Sequence, residues 1–166
     1  RPEVLVDLQL PPGCSIAMTD AVTRPMEAAL AARPEVRSLS AYVGAGAPRF
    51  FLALNPEQPD PAFAKILAVT GSAAEREAVI AAMRQLVAEG AFAEARMRVT
   101  TLLFGPPVPW PVAFRVLGPD PDELRRIAEE VRAVMARNPN VLDAHLDWGL
   151  RAPEPRLVLD EERLGG

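Results

Sequence analysis

Pro106, Pro107 and Pro109, directly after Gly105, constrain this chain more than any other feature. Each lacks a backbone N–H and has a fixed φ, so neither a helix interior nor a central strand can pass through them. The run Gly105-Pro106-Pro107-Val108-Pro109 therefore divides the chain into residues 1–105 and residues 106–166. A chain of 166 residues suits one or two small domains, so each side of the division is read as a packing unit.

The first side carries two helical stripes between alternating segments. Val4, Val6, Leu8 and Leu10 alternate with Leu5, Asp7 and Gln9, the period of a half-buried strand, and Pro11-Pro12-Gly13 ends it. Residues 15–32 follow the helical period through Val22, Met26, Ala29 and Leu30, with Ser15 or Thr19 as the cap. Pro25 lies inside that pattern, so a kink or a helix starting near Pro25 is expected. Val36 to Val43 reads as a second strand. Gly44-Ala45-Gly46-Ala47-Pro48 turns the chain into a third, Arg49 to Leu54, making a hairpin. Asn55 to Asp60 is a loop and Lys65 to Thr70 a further strand. Ser72-Ala73-Ala74-Glu75 is a capping box opening a helix with a stripe of Val79, Ile80, Met83, Leu86 and Val87, stopped at Gly90. Met97 and Val99 alternate with Arg96, Arg98 and Thr100 in the next strand.

Beyond the prolines the pattern restarts. Val112 to Leu117 reads as a strand. Asp120-Pro121-Asp122-Glu123 opens a helix with a stripe of Leu124, Ile127, Val131, Val134 and Met135, and Asn138-Pro139-Asn140 stops it. Leu142 to Trp148 and Arg156 to Leu159 read as strands, and Asp160-Glu161-Glu162 as another helix start. The predicted class is α+β: a ferredoxin-like split βαβ sandwich, complete over 1–105 and partial (βαββ) over 106–166, with helices on one face of a mostly antiparallel sheet.

Composition narrows the function. The net charge is −4 with no basic block, so no nucleic-acid partner is expected, since neutralising phosphates takes clustered cations. Lys65 is the one lysine among 18 basic residues, read as the arginine bias of a GC-rich genome rather than as chemistry. Cys14 cannot form a disulfide within the chain and reads as a small loop residue. His145 reads as a surface-facing strand residue, without a partner for catalysis. Gly44-Ala45-Gly46 is no dinucleotide fingerprint, because it leads into a strand. The acid pairs Asp120/Asp122 and Glu129/Glu130 fit capping and a solvated helix face. Met26, Met83 and Met135 read as core. No cofactor, metal or enzymatic activity is expected. No run of about 18 apolar residues crosses a membrane. The absence of a leader, with a strand starting just after Arg1-Pro2, is what a piece of a longer protein is expected to show.

A series of short segments carries a family resemblance. Leu10-Pro11-Pro12-Gly13 closes a first strand before a helix. Gly44-Ala45-Gly46-Ala47-Pro48-Arg49-Phe50-Phe51 forms the turn. Gly105-Pro106-Pro107-Val108, Pro109-Trp110-Pro111-Val112, Gly118-Pro119-Asp120 with Leu124, and Trp148-Gly149 follow in order. Together they resemble the second large periplasmic loop of resistance–nodulation–division (RND) efflux pumps of the acriflavine-resistance type, through almost the whole chain.

The resemblance implies a periplasmic porter segment of a proton-driven bacterial inner-membrane pump. Such pumps are homotrimers that move small amphiphilic or hydrophobic substrates. The implied partners are the other porter subdomains, the transmembrane helices, a periplasmic adaptor and an outer-membrane channel. It also implies that Phe51 is a pocket residue, that Leu5 and Ser40 line the pocket, and that Gly44 and Gly46 belong to a switch-loop-like turn. In that turn Ala45 and Ala47 stand at the family's aromatic places, which implies a wider pocket or a substrate that is not an aromatic drug. The alternative reading is a stand-alone ferredoxin-like ligand-binding or oligomerisation module.

Overall fold

The structure, a computed structural model, describes residues 2–48, 57–102 and 110–149. Its elements run β1 (Glu3–Gln9), α1 (Ile16–Ala31), β2 (Val36–Val43), β3 (Phe63–Thr70), α2 (Ala73–Ala88), β4 (Arg96–Thr101) and α3 (Pro121–Ala136). The four strands form one sheet in the order β2-β3-β1-β4, with every neighbouring pair antiparallel. With β1 and β3 central and each helix crossing between strands, this is the ferredoxin-like βαββαβ plan within an α+β fold.

Alternation along the strands sorts the two faces. Val4, Val6, Leu8, Ala64, Ile66, Ala68, Met97 and Val99 point to the helix side. There they join Met26 and Leu30 of α1 and Val79, Ile80 and Met83 of α2 in one buried core. Two of the three methionines read as core are in it, Met26 and Met83. Met135 is not, since no residue of α3 is buried.

Local chemistry explains the helix limits. Ser15 caps α1 by accepting from the Met18 amide, and Ser72 caps α2 by accepting from the Glu75 amide. Gly90, at φ +90°, takes the left-handed conformation just past α2. Pro25 does not start α1, which is continuous from Ile16. Ala21 and Pro25 are both exposed, so the carbonyl that loses its intrahelical donor has water beside it.

Several sequence readings change. β3 begins at Phe63 rather than Lys65, and it is the antiparallel partner of β2. The segment 49–54, read as a strand in a hairpin with β2, lies outside the described residues, as do the prolines 106, 107 and 109 and the strand and helix start read within 156–162. Residues 112–117 and 142–148, read as strands, have irregular backbone. They have apolar alternation but no pairing partner among the described residues, and an unpaired strand is not stable in water. Val112, Phe114, Leu117, Leu142 and Trp148 are accordingly exposed. α3 itself forms as read: Asp120 caps it by accepting from the Asp122 and Glu123 amides, and Glu123, Glu129 and Glu130 pair with Arg126 and Arg132 on its surface.

Candidate functional site

With α1 and α2 on one side, the other side of the sheet is free of both helices. The register of the strands lines up its side chains in rows. Tyr42 stands opposite Lys65, Lys65 opposite Asp7, and Asp7 opposite Arg98, so one row of ionisable groups crosses all four strands. The next row reads Ser40, Leu67, Leu5 and Thr100. A polar row and a row with an apolar centre thus lie side by side, two residues apart along each strand.

The polar row is built around one cation. Lys65 Nζ lies 3.2 Å from Asp7 Oδ1 and also pairs with Glu57 from the β2–β3 connection. Its side chain is 7% exposed, against 27% for Asp7 and 33% for Glu57. Burial pushes the Asp7 carboxyl above the ordinary aspartate value, a shift opposed by the Lys65 charge and hydrogen bond. The neighbouring Glu57 charge pushes it the same way as burial, and Arg98 opposes. The side of the Lys65 ammonium also faces the Phe63 ring, 5.9 Å from its centroid.

The turn after β2 reaches this cation through Glu57. Gly44, at φ +78°, donates to the Phe63 carbonyl and accepts from the Asp60 amide, which ties the two limbs of the connection together. Gly46 packs against Glu57: a Cβ added there would come 2.8 Å from Glu57 Cβ. Asp60 accepts from the Gln9 side-chain amide and from the Ala62 amide, holding the second limb to the end of β1. On the far side, the Arg98 guanidinium lies 4.5 Å from the Trp110 ring centroid. Beyond it a cleft of about 460 Å³ opens at the β4 edge, lined among others by Arg84, Met97, Val99, Trp110 and Leu142. Its size is that of a small-ligand pocket.

The structure brings together two of the residues implied as pocket-lining. Leu5 and Ser40 share the second row, with Leu67 between them. Ala45 and Ala47 sit in the turn, but Ala47 is 5% exposed and so packs inward instead of presenting a surface. Phe51 lies outside the described residues. His145 is not the surface-facing strand residue read from alternation: its ring packs edge-on to Trp110 at 4.2 Å, and Nδ1 bonds the Asp143 carbonyl within an irregular turn. Cys14 is a half-buried loop residue, as read.

Lys65 is what sequence reasoning missed. The signal was present: a single lysine in a chain that otherwise uses arginine, at the start of an otherwise apolar strand. Lysine's ammonium is a compact point charge, and here it meets both Asp7 and Glu57.

No protein-family model matches the chain, and no curated protein matches it. Among solved structures it is similar to a variant of SnoaB, a cofactor-independent oxygenase from Streptomyces nogalater. The identity is 14% and the TM-score 0.39, over 66% of this chain and 100% of the other. The matched protein is an oxygenase, which stands against the expectation of no enzymatic activity for this chain. A fold of this plan does not itself decide between binding and catalysis, and the likeness assigns no activity to this chain.

Proposed function

We propose that this chain is a periplasmic porter segment of an RND-type inner-membrane efflux pump, and that the sheet face without helices lines the path of small amphiphilic substrates. One observation carries the reading: Leu5 and Ser40 fall with Leu67 in a single row beside the charged row of Lys65, Asp7 and Arg98. An apolar strip next to fixed charge is what an amphiphile needs. In this reading α3, whose stripe of Leu124, Ile127 and Val131 is nowhere buried, packs on neighbouring porter subdomains of the homotrimer. The adaptor and the outer-membrane channel would complete the assembly. Among the described residues no helix is long and apolar enough to cross a membrane, so the spans of such a pump belong to other parts of its chain.

Reading the gene tests this directly. The frame should continue on both sides into apolar segments of about 18 residues or more. Cells expressing the full protein should then retain an amphiphilic dye when Leu67→Arg places a charge in the second row. A frame that opens near Arg1 and closes near Gly166, or unchanged efflux in that variant, would overturn the proposal.

A further inference from the structure

Lys65 has two carboxylate partners of different standing. Asp7 sits on a central strand paired on both sides, to β3 and to β4, so its backbone cannot withdraw. Glu57 comes from irregular backbone between β2 and β3, and its side chain is a third exposed. A carboxylate on a two-carbon stem can rotate out to water, while the buried Lys65 ammonium cannot follow it. The cation therefore has one permanent partner and one displaceable partner.

What surrounds the displaceable partner defines what could replace it. Leu67, half-buried, is two residues further along β3 on the same face, and the buried Leu5 stands opposite it. With Glu57 turned away, Lys65 keeps Asp7 as its carboxylate partner and has room for a second anion. We infer that Glu57 stands in for the head group of an anionic amphiphile: a carboxylate, sulfate or sulfonate binds Lys65 in its place, with its apolar chain over Leu67 and Leu5. This deepens, and rests on, the reading of this face as an amphiphile-binding surface. It gives that surface a charge preference, and it gives the chain an internal competitor that only an anion has to displace.

The test uses three ligands of one chain length: octanoate, 1-octanol and octylammonium. Each is titrated into the whole chain while the amide NMR signals of Leu5 and Leu67 are followed. Glu57→Gln should tighten octanoate binding about tenfold, the size of one charge-assisted hydrogen bond no longer competed for, and leave 1-octanol unchanged. Gly46→Ala, which crowds Glu57 from the turn, should tighten octanoate in the same direction by a smaller factor. Octanoate affinity unchanged or weakened by Glu57→Gln overturns the inference, as does an equal change for all three ligands. If 1-octanol still shifts Leu5 and Leu67 in that case, the amphiphile-binding face survives without its anion preference. If no ligand shifts them, both fall.

Discussion

Asp7 and Lys65 face each other across the two central strands, with Lys65 Nζ 3.2 Å from Asp7 Oδ1. Burial outweighs that pairing for the carboxyl, whose pKa is raised above the ordinary aspartate value. A raised folded-state pKa means that the folded chain holds the proton more tightly than the unfolded one. The stability Asp7 contributes is thus fully present below the unfolded value and is lost as pH rises through the folded one. Denaturant midpoints of wild type and Asp7→Asn, compared from pH 7 down to pH 4, should show this as a difference. Wild type gains on the variant as the solution is acidified, because Asn cannot take up the proton. Parallel curves would mean that Asp7 titrates alike folded and unfolded.

Removing the cation should cost more than removing one of its partners. Lys65→Met leaves Asp7 and Glu57 facing each other without a counter-charge on a largely buried row. Breaking such a pair is strongly destabilising, and the partial exposure of both carboxylates brings the expected cost to about 2 kcal/mol at pH 7. The loss should shrink at pH 5, where Asp7 more readily takes a proton. A urea midpoint unchanged at pH 7 would show the row to be solvated.

Leu8 is fully buried in the helix-side core cluster. Leu8→Ala should cost about 3 kcal/mol, from lost transfer energy and the cavity left behind. Leu5→Ala, on the opposite face and outside that core cluster, should cost less. Equal losses would mean that both faces are packed to the same degree.

Ser72 and Ser15 each satisfy an amide at the first turn of a helix that covers the sheet. Ser72→Ala should lower stability by about 1 kcal/mol. Ser72→Asp should restore most of it, since a carboxylate accepts the same bond and favours the positive end of the helix.

Hydrogen exchange should separate α3 from the rest. A 16-residue helix with no buried residue is held by its Asp120 cap, its surface ion pairs and the Arg125 contacts to the Gly149 carbonyl and the Trp148 ring, and isolated helices of that length are marginal in water. Amides of residues 125–136 should exchange much faster than those of β1 and β3, which are paired on both sides. Equal protection would show that α3 has a packing partner under the conditions of the experiment.

The parts of the fold legible in the sequence are those whose partners are local. The Ser72–Glu75 box marks the start of α2 to the residue because cap and amide lie three positions apart. Strand alternation in residues 4–10 places Val4, Val6 and Leu8 on the core side, while Leu5, apolar and buried on the other face, does not announce its side by polarity. The strands read at 112–117 and 142–148 failed for the opposite reason: alternation states a tendency, but pairing needs a second strand that the sequence does not name. The row Tyr42, Lys65, Asp7 and Arg98 was illegible because it depends on three registers at once, and its cation was set aside as composition. Leu5 and Ser40 were reached through the family resemblance, and nothing in their own residue types pointed to a shared row.

Val4 stands opposite Thr101, so β1 begins at the same end of the sheet at which β4 finishes. Two neighbouring strands are about 4.8 Å apart. The chain therefore enters and leaves this unit through adjacent doors, and the unit can be spliced into a loop of a host protein without prying the host's flanking segments apart. The same adjacency allows a circular permutation: a short Gly/Ser bridge across that end, with new termini cut in an exposed loop, should leave the sheet order and the charged row in place.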